Sequence, residues 1–146
     1  RIEKDRVEFG GLAVAVDDAR TTDRDDAFSV ERTSEGLRVS VHITDVAAAV
    51  PCGSALMPEA RNRAASIYLP EGTQHMLPLR LVDTLSLTPG QRNKCITYSC
   101  TVLPNGQLKD WQVERTLVQN LQLVTPKDAE RMLTHLQAEG PLYRVL

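Results

Sequence analysis

Long apolar stretches are absent from the sequence. No run approaches the ~18 consecutive apolar residues that a membrane-spanning helix requires, and no secretory signal peptide opens the chain. We therefore expect no membrane partner. The chain begins with Arg1 and ends on an apolar segment, so we expect a piece of a longer protein.

A basic excess is also missing. The 17 Lys and Arg residues face 19 Asp and Glu residues, giving a net charge of −2 and a sequence pI near 5.9. A stand-alone nucleic-acid-binding domain usually carries a basic surface that holds the phosphates. Simple phosphate binding by this segment alone is thus disfavoured. Binding through metal ions, or through basic surfaces elsewhere in a longer chain, is not.

Cysteine is scarce and has no metal-binding pattern. The three cysteines, Cys52, Cys95 and Cys100, are odd in number and lack a C-x-x-C or Cys/His zinc spacing. We expect free thiols, which are typical of a reducing compartment. The expected location is the cytoplasm, with an organelle of a eukaryotic cell as the alternative.

Hairpins and short helices alternate along the 146 residues, which suffice for one domain. Their pattern predicts an α+β fold of antiparallel hairpins with short helices. Residues 1–11 predict a charged lead-in, 12–17 a strand and 18–26 a polar loop. The later predicted elements are a hairpin of residues 27–32 and 37–45, a helix over 58–66 with Pro58 at its first position, a turn-rich stretch over 70–89, a hairpin of 96–103 and 108–118, and a last helix that is capped by Thr125 and ended by Gly140.

The most informative stretch is V-D-D-A-R-T-T-D-R-D-D-A, residues 16–27. It holds five aspartates and two arginines, which leaves three uncompensated negative charges. A strand, a loop and a second strand would fold these carboxylates back on one another, where each raises the pKa of its neighbours unless a cation lies between them. The aspartates are Asp17, Asp18, Asp23, Asp25 and Asp26.

Oxygen ligands without Cys or His favour a hard cation such as magnesium, manganese or calcium. An EF-hand is excluded, because the sixth and twelfth loop positions counted from Asp23 hold Phe28 and Ser34. The alternative is a solvated acidic loop that is partly neutralised by its own arginines.

The spacing resembles the signature of a known family. The pattern D-x-x-x-x-x-D-x-D-D-A, formed by Asp17, Asp23, Asp25 and Asp26, is similar to the catalytic motif of the ribonuclease II (RNB) family. Further family-like motifs follow in order and extend the resemblance over roughly residues 14–133. They are V-H-I-T-D-V (41–46), G-S-A-L (53–56), E-A-R-N-R-A-A-S-I-Y-L-P (59–70), M-L-P (76–78), L-S-L (85–87) and P-G-Q-R (89–92).

The resemblance implies that residues 1–146 form the N-terminal part of an RNB catalytic domain. The implied activity is magnesium-dependent hydrolysis of single-stranded RNA from the 3′ end, with release of nucleoside 5′-monophosphates. The implied partners are single-stranded RNA, the missing C-terminal half of the domain, which would supply an Arg and a Glu, and an OB-type RNA-binding barrel. We expect the isolated piece to be inactive and to expose an apolar docking surface, which we place near Leu142, Tyr143, Val145 and Leu146.

The same resemblance assigns roles to individual residues. Mg²⁺, or Mn²⁺ in its place, would bind Asp17, Asp23, Asp25 and Asp26, and one of the last three would orient the attacking water. Asp25 and Asp23 are the expected catalytic residues.

Two further residues are expected to bind RNA. Tyr68 would stack on a base near the 3′ end; the alternative is a tyrosine packed in the core. Arg63 would contact a phosphate; a surface or ion-paired arginine is the equal alternative. Ala64 stands where the family usually has Gly.

The remaining polar candidates are expected to be structural. His42 shares the polar face of its strand with Ser40 and Thr44 and is interpreted as a structural histidine. Asp45 would hold a loop or lie near the metal, and His75 is interpreted as incidental.

Two other functions stay open. The first is an inactive RNB homologue that serves as an RNA-binding or scaffolding module, although such a protein has no reason to keep four repelling carboxylates. The second is a hydrolase of another phosphodiester, DNA included, because no residue in the sequence can be assigned to the 2′-hydroxyl that distinguishes RNA.

Overall fold

The structure is a computed structural model that describes residues 5–135. Gly140 and the predicted docking residues Leu142, Tyr143, Val145 and Leu146 lie outside this range. The described chain forms, in order, β1 (Val7–Phe9), β2 (Ala13–Val16), β3 (Asp26–Arg32), β4 (Leu37–Thr44), α1 (Val46–Ala49), α2 (Leu56–Arg63), β5 (Ile67–Leu69), β6 (Gly72–Gln74), α3 (Leu79–Leu85), β7 (Asn93–Val102), β8 (Leu108–Val118), β9 (Leu121–Val124) and α4 (Pro126–His135).

Seven strands form one sheet in the order β1-β8-β7-β4-β3-β2-β9. Four neighbouring pairs are antiparallel, namely β2 with β3, β3 with β4, β4 with β7 and β7 with β8. The pairs of β1 with β8 and of β2 with β9 are parallel. Three residues join β1 to β2 and two join β8 to β9. β1 and β2 therefore act as one long, bent strand, and β8 and β9 as another. These two long strands pair with each other at both edges of the sheet, which closes the sheet into a barrel. The expected α+β class is confirmed, but the parallel closure was not predicted.

The interior of the barrel is lined by small and polar side chains. Buried alanines pack with Leu87 and Val118 in the main core cluster. Buried serines and threonines pair across the strands, as between the hydroxyls of Ser40 and Ser99 at 3.2 Å. A closed barrel of few strands has room inside only for small side chains, which explains why the polar face of β4 is the buried one.

The outer face of the barrel is apolar and partly uncovered. The strand register aligns Val41, Tyr98 and Val113 in one row across β4, β7 and β8. Tyr98 is 47% exposed, Val113 62% and the neighbouring Trp111 64%. Further along this face, Ala129 of α4 packs on Val14 and Val124 in a second apolar cluster.

His42 is a structural histidine in the interior, as expected. Its Nε2 lies 3.1 Å from the Ser29 hydroxyl and its Nδ1 lies 2.8 Å from the Thr97 hydroxyl. The Phe9 ring packs against it at a centroid distance of 4.5 Å. Burial lowers the pKa of His42 to about 4, because no charge partner offsets the loss of water around the imidazolium.

The predicted lead-in segment contributes β1 to the barrel and a buried cation beside it. The guanidinium of Arg6 pairs with the Asp45 carboxylate inside the protein and donates to the carbonyl of Cys95 at 3.2 Å. Asp45 also accepts from the Ala48 backbone N–H at 3.2 Å, which caps α1. Asp45 thus holds a loop, which is the first of its two expected roles.

Several boundaries differ from those expected. The helix predicted to begin at Pro58 begins at Leu56, so the placement of Pro58 at its first position is wrong; a proline is tolerated anywhere in the first turn, where the backbone N–H has no intrahelical partner. The helix ends at Arg63 because Ala64 adopts a left-handed conformation with φ 61°. The stretch over 70–89, predicted as turns, contains β6 and α3.

The predicted N-cap of the last helix and the predicted free thiols are confirmed. Thr125 caps α4, since its hydroxyl accepts from the Asp128 backbone N–H at 3.1 Å. All three cysteines are free thiols. No helix in the described range is long and apolar enough to cross a membrane.

Candidate functional site

The acidic loop lies at one end of the barrel, between β2 and β3. Two backbone hydrogen bonds fix its ends: the Asp17 N–H donates to the Val124 carbonyl at 3.0 Å, and the Thr44 N–H donates to the Asp25 carbonyl at 2.9 Å. Because β2 and β3 are antiparallel neighbours, the chain that leaves one and enters the other must return to the same end. This connection brings Asp17 back beside Asp25.

Arg24 anchors the middle of the loop. Its backbone N–H donates to the Ser86 hydroxyl at 3.1 Å, and its Nε donates to the Leu87 carbonyl at 2.9 Å. The Leu87 N–H donates in turn to the Arg24 carbonyl at 2.8 Å. Leu87 is buried in the core cluster, so these bonds tie the segment between Asp23 and Asp25 to the body of the protein.

The four predicted metal-binding aspartates influence one another electrostatically. The pKa of Asp25 is raised, first by partial burial and next by the charge of Asp26, with smaller contributions from Asp23 and Asp17; only a backbone hydrogen bond opposes them. Asp18 is exposed, and its N–H donates to Asp17 Oδ1 at 2.9 Å. The charges of Asp26, Asp23 and Asp17 therefore act on Asp25 as the sequence predicted, and Asp18 is exposed to solvent as expected.

Two observations bear on whether the four aspartates could hold a metal ion. Within residues 5–135, no three His, Cys, Asp or Glu side chains are grouped so that they could hold a metal ion. The donor chemistry nevertheless fits a divalent cation, because burial and the neighbouring carboxylate charges both raise the pKa of Asp25, and the pocket also holds a buried nitrogen of His75 without a hydrogen-bond partner. A cation would relieve both penalties.

Tyr68 borders the site from β5. The residue is 66% exposed, and its hydroxyl donates to Asp23 Oδ2 at 2.5 Å. The hydrogen bond to Asp23 is the largest cause that raises the pKa of Tyr68 to about 12. Tyr68 is thus placed beside the carboxylates with its ring open to solvent, rather than packed in the core.

Arg63 is engaged in protein contacts. Its guanidinium pairs with Glu59 one helical turn earlier, at 2.9 Å, and donates to the His75 carbonyl at 2.9 Å. Its side chain remains 47% exposed. The structure therefore shows the ion-paired arrangement that was the alternative to a phosphate contact, and the bond to His75 ties α2 to the end of β6.

His75, which the sequence leaves as incidental, enters the site. Its Nδ1 lies 3.8 Å from Asp23 Oδ2, and its side chain is only 14% exposed. The same nitrogen is buried without a hydrogen-bond partner. The β5–β6 hairpin carries it there, since pairing of Tyr68 with Thr73 places the next residues of β6 beside Asp23. The sequence signal was limited to the position of His75 directly before the M-L-P motif.

These residues border a pocket of about 190 Å³. One side is polar and includes Asp23, Asp25, Tyr68 and His75. The rest of the lining includes the apolar side chains of Val46, Met76, Leu77, Val82 and Leu85. Two of the four predicted aspartates, Asp23 and Asp25, thus line the pocket together with Tyr68 and His75.

Comparisons with known proteins agree on one family. A family model described as the RNB domain matches residues 6–142. The human protein named 3'-5' exoribonuclease HELZ2 is 36% identical over 132 residues, which cover 88% of this chain and 5% of that protein.

Solved structures share the fold. Mycoplasma genitalium RNase R in complex with double-stranded RNA has a TM-score of 0.85 at 25% identity, over 93% of this chain and 25% of that one. Yeast Ssd1, titled a pseudonuclease, has a TM-score of 0.82 at 20% identity, over 94% and 18%; this likeness shows the fold alone. The chain spans less than a fifth of the length of the curated relatives that it matches first.

Proposed function

Because the chain belongs to the RNB-domain family, we propose that it is the metal-binding part of a 3′-to-5′ exoribonuclease that hydrolyses single-stranded RNA and releases nucleoside 5′-monophosphates. The observation that supports this most is the raised pKa of Asp25, which partial burial causes first and the nearby charges of Asp26, Asp23 and Asp17 increase. A protein that did not use these carboxylates would be more stable without them.

We propose Mg²⁺, with Mn²⁺ as a substitute, as the cation held by these four aspartates. When bound, it would polarise the scissile phosphoryl group, lower the pKa of the attacking water and stabilise the leaving oxygen. Other residues of the chain hold the aspartates in position. Arg24 fixes the segment that carries Asp23 and Asp25, and the Tyr68 hydroxyl holds one oxygen of Asp23, leaving the other free for a cation or water.

The exposed Tyr68 ring supports the proposed contact with the RNA 3′ end. A base stacked on an aromatic ring gains roughly 1–3 kcal/mol whatever its identity, which suits an enzyme that degrades RNA of any sequence. For Arg63, the pairing with Glu59 and His75 favours a supporting role over the phosphate contact. For the compartment we propose the cytoplasm, from the three free thiols.

The second candidate function is an inactive RNA-binding or scaffolding homologue. The likeness to a protein titled a pseudonuclease favours it, because it shows that this fold persists where activity is absent. The complete aspartate set favours the enzyme.

Replacement of Asp25 by Asn in the full-length protein separates the two. The amide keeps the volume and removes the charge, so cleavage of single-stranded RNA should fall at least ~10²–10³-fold, while RNA binding remains. Asp18→Asn is the matched control, since it makes the same change at an exposed neighbour and should leave cleavage unchanged. Equal cleavage by the wild type and Asp25→Asn, or no cleavage by the wild type with magnesium, would refute the proposal.

A further inference from the structure

The β5–β6 hairpin, which carries Tyr68, stands apart from the barrel. It forms a separate two-stranded sheet, and every residue of both strands is exposed. The neighbours of Tyr68 in the strand are not packed either, since Ile67 is 50% exposed and Leu69 is 53% exposed. A two-stranded hairpin is marginally stable by itself in water, so the position of Tyr68 depends on bonds to the rest of the protein.

Two hydrogen bonds hold the base of the hairpin. The Met76 N–H donates to the Ser66 hydroxyl at 3.0 Å, which joins the two ends of the hairpin. The guanidinium of Arg63 donates to the His75 carbonyl at 2.9 Å, which ties the hairpin to α2. Neither bond involves the side chain of Tyr68, so neither fixes the direction of its ring.

The acidic loop holds the Tyr68 side chain instead. The Tyr68 hydroxyl donates to Asp23 Oδ2 at 2.5 Å. This carboxylate is itself well fixed, because only 19% of the Asp23 side chain is exposed and the next residue, Arg24, is bonded to Ser86 and Leu87. A bond at the phenol oxygen fixes the direction of the ring without covering its faces, and the residue remains 66% exposed.

We propose that Asp23 is a positioning residue for RNA, which acts through the Tyr68 hydroxyl to fix the ring as a rigid platform for a base near the 3′ end. A ring that already stands in the stacking position loses less conformational freedom when the base binds, and this preorganisation strengthens binding. The inference rests on the proposed function, since it assumes that Tyr68 contacts the RNA. It makes the hydroxyl, and not the ring alone, necessary for full stacking.

The probes are single-stranded RNAs with 2-aminopurine at the last or next-to-last position, because the fluorescence of this base is quenched when it stacks. They are added to the full-length protein in EDTA, which prevents metal-dependent cleavage. Tyr68→Phe keeps the ring and removes its anchor. It should lower the quenching and weaken RNA binding roughly 3–10-fold, the equivalent of one hydrogen bond. Tyr68→Ala, which removes the platform, should abolish the quenching.

Asp23 offers two matched variants. In Asp23→Asn the amide oxygen still accepts from the Tyr68 hydroxyl, so the quenching should remain. In Asp23→Ala no acceptor remains, and the quenching should fall as it does in Tyr68→Phe. Because the two residues act through one bond, the double variant Tyr68→Phe with Asp23→Ala should lose no more than either single variant. Tyr98→Phe, at an exposed tyrosine elsewhere on the barrel, should leave the quenching unchanged.

The possible results separate this inference from the proposed function. If Tyr68→Phe quenches as the wild type does while Tyr68→Ala does not, the anchor is refuted and the contact of Tyr68 with RNA stands. If Tyr68→Ala also quenches fully, the proposed contact fails and this inference with it. Equal losses in Asp23→Asn and Asp23→Ala would show that the charge of Asp23, not its hydrogen bond, is what matters. Should Asp23→Ala fail to fold, Tyr68→Phe and Asp23→Asn decide.

Discussion

His42 shows how a single polar residue is fixed by the barrel interior. The hydroxyls of Ser29 and Thr97 engage both ring nitrogens, and each hydroxyl can donate or accept to match a neutral imidazole. An imidazolium would lose its hydration in this buried place, and no charge offsets that loss. The residue is therefore held neutral, as its pKa of about 4 indicates.

This pKa sets a pH dependence of stability. Because the folded pKa lies below the ordinary 6.5, the contribution of His42 is complete above pH 6.5 and is lost as the pH falls from 6.5 toward 4, where the unfolded chain binds the proton first. The difference amounts to about 3 kcal/mol. Urea unfolding at pH 7.5 and pH 4 should show this loss for the wild type, and a loss smaller by that amount for His42→Gln. Identical pH dependence of the two proteins would contradict it.

Ala64 carries a local conformational penalty. Its φ of 61° lies in the left-handed region, which costs a residue with a Cβ roughly 1–2 kcal/mol relative to glycine. Ala64→Gly should therefore raise the free energy of unfolding by about 1 kcal/mol in urea titrations, after the added entropy of the unfolded chain is subtracted. Ala65→Gly, at the next exposed position where φ is not positive, should be destabilising. Stabilisation by both, or by neither, would show that φ is not the cause.

At the scale of residues, the sequence predicts those parts of the site that lie close together along the chain. The aspartates of the acidic loop are at most nine residues apart, so a strand, loop and strand suffice to bring them together. His75 is 52 residues from Asp23 along the chain and reaches it only through the β5–β6 hairpin and the contact of Arg63 with its backbone. No local pattern encodes that approach.

At the scale of elements, the hairpins of β3 with β4 and of β7 with β8 followed from alternation and from the T-S-E-G and P-N-G turns. The strands that were missed are three or four residues long, too short for a period to be recognised. The helix α3 was not predicted, because the stretch that contains it has prolines at both ends and was interpreted as turns. The parallel closure of β1 on β8 depends on contacts more than 100 residues apart, which a pattern of neighbours does not contain.

The buried ion pair of Arg6 with Asp45 fixes β1 against the rest of the barrel. Both side chains are almost fully buried, so removal of one partner leaves a buried charge uncompensated. Asp45→Asn should lower the free energy of unfolding by about 3–5 kcal/mol, with Arg115, whose Nε lies 3.6 Å from the same carboxylate, also losing its partner.

A double-mutant cycle in urea tests this. The variant with both Arg6→Met and Asp45→Asn should be less destabilised than the sum of the single changes, because no buried charge is then left alone. Arg92→Met is the control, since Arg92 pairs with Glu8 of the same strand on the surface and should cost less than ~1 kcal/mol. A loss at Arg92 as large as at Asp45 would show that burial does not set the energy.

At the scale of the whole molecule, the barrel is covered on one part of its outer face and open on another. α4 covers the strands near the acidic end, while Tyr98, Trp111 and Val113 stay exposed together on β7 and β8. Adjacent exposed apolar side chains of this size mark a surface that other protein covers or that causes self-association. This open face and the short span of the chain relative to its relatives agree with a surface that further protein covers.

The last prediction concerns residues 1–146 alone, which we expect to leave RNA intact at a useful rate. The described chain supplies carboxylates and an aromatic ring, but the net charge is −2, so a basic path for the RNA backbone must come from elsewhere. The further Arg and Glu implied by the family resemblance are not among the matched motifs, and loss of one positioned electrostatic group alone costs ~10²–10³ in rate. The test is incubation of the purified piece with single-stranded RNA and magnesium, beside its Asp25→Asn variant. Release of nucleoside 5′-monophosphates by the piece and not by the variant would show that the four aspartates and their pocket suffice for catalysis.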